Sequence, residues 1–184
     1  MKKLITIIIL ALLSQYTYGQ NLLINGTFDT DTSGWWAFTT LSWVSDDGAP
    51  ISGNGSMRNT TTVNNNASFP AISDKFPVKP NHWYLSGLSF KVPSASPVPW
   101  AWYQFYWYDA MDTQIGTSNQ ISATFGVPND VWQDLAGMSL APENAATGEL
   151  RIYFQTGKPG SPDPFGLWDD VFVFEETLFI NGFE

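Results

Sequence analysis

Helical periodicity is nearly absent from this chain past residue 20. Apolar side chains instead alternate with polar ones or come in short bursts, and Gly, Pro, Asn or Ser interrupts them about every 8–12 residues. A half-buried strand sends every second side chain to the core, so this pattern is that of many short strands joined by turns. It predicts strands at 22–24, 35–44, 56–63, 68–76, 83–92, 101–109, 120–127, 131–140, 150–156 and 167–174. No helical crossover pattern separates them, and parallel neighbours need one. The expected fold is all-β: an antiparallel β-sandwich, with a jelly roll as its topology.

The first residues follow another rule. Met1, Lys2 and Lys3 are followed by an apolar run over 4–13, broken by Thr6, and then by small and polar residues up to Gly19. That is the three-part pattern of a bacterial secretory signal. The run is about half the roughly 20 residues that span a bilayer as a helix. Residues 1–19 are expected to be removed, leaving one domain over 20–176 and a short tail over 177–184, with no membrane attachment after cleavage. There is no cysteine, so export adds no disulfide and no thiol chemistry. The formal charge is −9, and loss of Lys2 and Lys3 makes it more negative still. Nucleic acid, acidic membranes and acidic polysaccharides call for a basic patch, so these partners are disfavoured. Neutral glycans and cations remain.

Three stretches, read in order, carry a resemblance. Asn21, Leu22, Leu23, Ile24, Asn25, Gly26, Thr27, Phe28 and Asp29, followed by Gly34 and Trp35, form the first. Phe76, Pro77, Val78, Lys79 and Pro80 with Tyr84, Leu85, Ser86 and Gly87 form the second, and Trp168, Asp169, Asp170 and Val171 the third. In order and spacing the set resembles carbohydrate-binding modules of the family 4, 9, 16 and 22 group, which have a galactose-binding-like jelly roll. Asn81 stands where that group has Gly, and Asn tolerates left-handed backbone. Asp29 stands where it has Glu.

The resemblance implies a structural calcium tying the N-terminal segment to the last strand. Its ligands would be Asp169, the carbonyls of Thr27 and Gly55, and the side chain of Asp29. Calcium takes six to eight oxygens from such groups. A divalent cation would also offset the repulsion of Asp169 and Asp170 in so acidic a chain. The competing reading is that these carboxylates accept backbone N–H bonds in turns.

The resemblance further implies a sugar cleft on the concave sheet, where rings stack on the apolar faces of pyranoses and polar side chains read hydroxyls. The group's early aromatic falls on Phe38, and Trp36 shares its face at a spacing of two. Over 100–109, alternation puts Trp102, Gln104, Tyr106 and Tyr108 on one side and Tyr103, Phe105 and Trp107 on the other. The Gln104 side is expected to be the cleft, because an unpaired Gln is costly to bury. Arg151, Tyr153 and Gln155 share a face at the next cleft strand, and Asp74 stands where the group has a polar cleft residue. A tightly packed aromatic core is the competing reading of all these residues.

No catalytic set is legible. A glycoside hydrolase needs two carboxyls about 5–9.5 Å apart, and nothing pairs the acids here. The single histidine, His82, follows Pro80 and Asn81 in a turn context, and there is no Gly-x-Ser-x-Gly elbow. The sequence reading is therefore a secreted, non-catalytic module that binds a neutral poly- or oligosaccharide. Its rivals are an adhesive or structural sandwich without a cleft and, through Arg151 and Tyr153, a jelly-roll polysaccharide lyase or hydrolase. The ending over 178–184 resembles a short tag on secreted proteins of some Gram-negative bacteria. It is read either as a sorting tag or as a last edge strand. With the signal pattern, the chain is expected to be secreted, or to lie on the surface or in the periplasm of a Gram-negative cell.

Overall fold

In the computed structural model, residues 19–63, 65, 67–96, 98, 100–122, 130–156 and 163–176 are described. Among them the strands are β1 (Trp35–Ala37), β2 (Thr40–Val44), β3 (Ser56–Thr60), β4 (Ser68–Ser73), β5 (Phe76–Pro77) and β6 (Trp83–Lys91). They continue as β7 (Trp100–Tyr108), β8 (Gln114–Thr117), β9 (Ile121–Ser122), β10 (Gln133–Leu140), β11 (Thr147–Gln155) and β12 (Phe165–Glu175). One sheet runs β1-β4-β11-β7-β8, with β5 on β11 and β9 on β7; the other runs β10-β6-β12-β3-β2. Every pairing is antiparallel. From β6 the chain goes to the other sheet at β7, returns at β10, crosses again at β11 and returns at β12. This is a jelly-roll β-sandwich.

Strand alternation builds the core. Ala101, Tyr103, Phe105 and Trp107 of β7 and Leu150, Ile152 and Phe154 of β11 point inward and are buried. They meet Met57, Tyr84, Leu88, Phe90, Trp168 and Val173 of the second sheet in one cluster. Phe105 and Trp107 stack, with centroids 4.7 Å apart and planes 7° from parallel. Each such side chain contributes about 1.5–3 kcal/mol through burial. Tyr103 is tolerated there because its hydroxyl donates to the Ser86 carbonyl at 2.9 Å.

Several expected strands are corrected. The stretch 35–44 divides, β1 joining the first sheet and β2 the second, since the chain crosses the sandwich edge at Phe38 and Thr39. No Gly or Pro marks that crossing. The stretch 68–76 likewise breaks at Asp74 and Lys75. Residues 22–24 are no strand: Leu22 makes one ladder-like bond, its N–H to the Val173 carbonyl at 2.9 Å, and Asn25 then turns the chain at φ 52°. The edge strand β8 escaped the pattern because Ile115 is its only apolar side chain. Within 120–127 only Gln120 and β9 are described. The expected signal over 1–19, save Gly19, and the tail over 177–184, lie outside the described residues.

The quoted motifs have local causes. Gly26 lies so close to the last strand that a Cβ there would sit 2.0 Å from the Val171 carbonyl oxygen. The same contact lets the Val171 N–H donate to the Gly26 carbonyl at 2.8 Å. Asn21 fastens the strap, donating to the Val171 carbonyl at 3.0 Å and accepting from the Val173 N–H at 2.9 Å. Asn81 adopts φ 59°, the conformation a glycine takes in its place. Asp170 at φ 49° makes a bulge in β12, where the register with β6 shifts between Asp169 and Phe172.

Candidate functional site

The outward face of the first sheet gathers most of the expected sugar-site residues. Register sets them in rows across the strands. Trp36 of β1 faces Ile72 of β4, which faces Arg151 of β11, which faces Gln104 of β7. The neighbouring rows pair Tyr153 with Trp102 and Glu149 with Tyr106. Gln155 lies opposite Trp100, and Phe38 continues the side of Trp36 just past the end of β1. Asp74 lies beyond the end of β4 and is exposed.

The floor of this face is a bonded network. Arg151 lies over the Tyr106 ring, 3.7 Å from its centroid, and its Nε donates to Glu149 Oε1 at 2.6 Å. Its Nη2 donates to the Tyr108 hydroxyl at 3.1 Å, which in turn donates to Glu149 Oε1 at 3.3 Å. The hydroxyls of Tyr106 and Tyr153 share a bond of 2.8 Å. Tyr153 stacks on Trp102 with centroids 5.0 Å apart and planes 3° from parallel. Lys75 Nζ sits 3.5 Å from the Tyr108 centroid and is ion-paired to Asp112. Glu149 is a residue the sequence reading set aside, as an acid that nothing paired. It lies two positions before Arg151, on the same face, so the alternation that selected Arg151 and Gln155 reaches it one step earlier.

Burial and charge set the ionisation of this floor. Burial lowers the affinity of the Arg151 guanidinium for its proton, but the hydrogen bond and charge of Glu149 outweigh that and hold it above its usual value. Burial raises the phenol of Tyr153, with Tyr106 adding to the effect. Burial raises Tyr108 as well, and the Glu149 charge raises it further. Arg151 is thus a fixed cation and these tyrosines are fixed neutral donors.

The rings differ sharply in access. Trp102 and Tyr108 are each 7% exposed, whereas Trp36 is 42% and Phe38 78% exposed. Tyr106, Arg151, Tyr153 and Gln155 are half-buried. Stacking surface is therefore offered at the β1 edge, where Trp36 and Phe38 meet edge to face with centroids 5.2 Å apart. Toward β7 the face offers hydroxyl, guanidinium and amide groups.

A second constellation lies at the strap. The backbones of Gly55 and Phe28 are in such close contact that a Cβ on Gly55 would sit 2.2 Å from the Phe28 oxygen, and one on Gly53 2.4 Å from Asp29 Oδ1. Asp169, wholly buried, accepts from the Ala49 N–H at 2.7 Å and from the Ser52 hydroxyl through Oδ2. Its Oδ1 accepts from the Asp170 N–H at 2.7 Å. Burial still pushes its carboxyl up to about 6. Asp170 is also raised, by burial and by the charges of Asp134 and Asp29, and its buried Oδ2 has no hydrogen-bond partner. Thr27, Ser89, Asp134 and Asp170 give the polar wall of a groove of about 460 Å³ there. Among the described residues no three acidic or histidine side chains converge tightly enough to hold a metal alone.

No family model matches the chain. No curated protein matches it either. Solved structures do. One is titled "Family 16 Carbohydrate Binding Module-2", with a TM-score of 0.58 and 18% identity, matched over 84% of this chain and 100% of that one. Another is the CBM22-1 xylan-binding domain of Xyn10C from Paenibacillus barcinonensis, with a TM-score of 0.61, 16% identity, and 85% and 95% coverage. This is a carbohydrate-binding-module fold. Module-fold domains also occur inside larger proteins. The enzymatically active domain of tailspike protein 4 of bacteriophage CBA120 matches with a TM-score of 0.62 at 14% identity. There the match takes in 85% of this chain but only 21% of the other. The carbohydrate-binding modules matched over nearly their whole length stand alone in their structures, whereas a CBM22-1 module of Clostridium thermocellum is joined to a xylanase domain.

Proposed function

We propose that this chain is an exported, non-catalytic module that binds a neutral poly- or oligosaccharide on the outward face of its first sheet. The observation that carries the reading is the exposed Trp36–Phe38 pair at the open edge of a face whose half-buried residues are hydroxyl, guanidinium and amide donors. Pyranose C–H faces suit such rings, and the fixed donors beside them suit hydroxyls. Similar folds include a module in complex with β-1,4-galactotriose and domains named for xylan binding. The glycan would stack at the β1 edge and be read by Tyr106, Arg151, Tyr153 and Gln155. Trp102, Gln104 and Tyr108 would brace them from beneath.

Two features weigh against catalysis. A lyase needs a tyrosine that gives up its proton readily, yet Tyr108 and Tyr153 are both pushed the other way. A hydrolase needs two carboxyls, and the acid of this face, Glu149, is 4% exposed and engaged with Arg151 and Tyr108. The buried state of Trp102, Gln104 and Tyr108 favours the structural rival, a sandwich that offers no cleft.

The strap fits a structural calcium, which would supply positive charge among Asp29, Asp134 and Asp170. Asp170, through its unpartnered Oδ2, and Asp29 would hold the ion together with carbonyl oxygens of Thr27 and Gly55. Asp169 would brace the loop over Ala49 and Ser52 instead, its oxygens being engaged by three donors.

A glycan array of neutral and acidic oligosaccharides tests the reading, read against calorimetry on Trp36→Ala. Binding to a neutral glycan that Trp36→Ala abolishes, at unchanged melting temperature and with little dependence on salt, is the expected result. An array without hits sinks the reading in favour of the structural one.

A further inference from the structure

A second concavity opens where the edge of the first sheet meets β2 and β3. It has a volume of about 380 Å³; Phe38 and Phe69 form apolar walls, and Thr39, Thr60, Thr61 and Thr62 supply hydroxyls. Among the described residues no charged one lines it. Behind it lies Asn59, fully buried and two positions before Thr61 on the inward side of β3. Asn59 Oδ1 accepts from the Thr39 hydroxyl, and its Nδ2 has no hydrogen-bond partner. An unpaired buried amide is costly, and this one is joined to the pocket through the Thr39 hydroxyl.

We propose that this pocket takes the terminal residue of a neutral glycan, the preceding units lying across the outward face of the first sheet. The proposal rests on that face being the sugar site. Phe38 joins the two, since it walls the pocket and also meets Trp36. The uncharged, hydroxyl-rich lining selects a neutral polyhydroxylated ligand, because each threonine both donates and accepts. Phe38 and Phe69 suit the apolar face of a sugar ring. The volume is at the low end of the roughly 300–1,000 Å³ typical of small-molecule sites, about the size of one ring. On this proposal the bound glycan ends here, and the module recognises chain ends rather than the middle of a polymer.

The test uses wild type, Thr62→Trp and Trp36→Ala, titrated by calorimetry with xylohexaose, cellohexaose and β-1,4-galactotriose. Thermal unfolding serves as the control for folding. Thr62 is exposed, so an indole there fills the pocket without entering the core. For the oligosaccharide that wild type binds, Thr62→Trp should weaken affinity by at least about tenfold. The number of protein molecules bound per chain should also stay the same on the corresponding long polymer. If Trp36→Ala loses binding while Thr62→Trp keeps it, the pocket is not a sugar site although the face is. Stoichiometry rising in proportion to chain length overturns end recognition in the same way. If wild type binds none of these glycans and nothing on the array, the reading of the face fails and takes the pocket with it.

Discussion

Phe105 and Tyr106 are adjacent in β7, and their side chains leave the sheet on opposite sides. Phe105 is wholly buried against Phe76 and Trp107, so Phe105→Ala should cost about 3–5 kcal/mol by leaving a cavity. Tyr106→Ala removes a half-buried ring and its bond to Tyr153, so it should disturb sugar binding far more than the melting temperature. Paired calorimetry and thermal unfolding on the two variants check this, and the opposite pattern would mean that the faces are reversed. Tyr103 gives a second test. Burial is the main cause of the rise of its phenol to about 12. Above pH 10 the unfolded chain gives up this proton while the folded one keeps it, so stability should fall as pH rises from about 10 to about 12. Tyr103→Phe should flatten that stretch of the curve. The sides of β7 were legible because Gln104, among so many rings, marks the outward side. What alternation could not show is that Arg151 caps Tyr106 and that Tyr153 covers Trp102. Those contacts depend on side-chain rotamers across strands, so alternation gives the side of the sheet each ring takes but not that Trp102 and Tyr108 are covered while Trp36 and Phe38 stay open.

At the level of elements, the motif glycines act by contact. Gly26→Ala would drive a methyl into the Val171 carbonyl at a strand that carries a bulge, where backbone on both sides is already fixed. Such overpacking costs about 1–3 kcal/mol or more. Chemical denaturation should show a loss of that size, whereas Gly116→Ala, with nothing closer than 4.0 Å, should lose much less. The long strands β6, β7, β10, β11 and β12 were readable because each repeats its alternation over many residues. The break between β1 and β2 was not, since strand-favouring residues run through it and the crossing is held by Thr39 bonding to Asn59, about twenty positions away.

For the whole molecule, the strap over residues 21–29 is tied to β12, and the proposed cation site lies at that junction. In wild type, added calcium should raise the melting temperature and a chelator should lower it. Asp170→Ala should abolish that response, and chelator and substitution should not add, because both remove one site. A melting curve indifferent to calcium and chelator would leave the strap held by Asn21 and the backbone bonds alone.

The place of β12 also bears on how the chain is made. It lies in the middle of its sheet, with β6 on one side and β3 on the other, yet it is the last of these strands in sequence. Until it leaves the ribosome, β10-β6 and β3-β2 are separate ribbons with no partner for their inner edges. Lone ribbons of this kind are marginal in water. Closing the sheet must wait for contacts between residues far apart in sequence, which makes folding slow. A nascent chain of this design leaves this sheet open until β12 has been made. For the export proposed above, that is the form in which a polypeptide can be threaded through a narrow translocation channel before it closes into a sandwich on the far side.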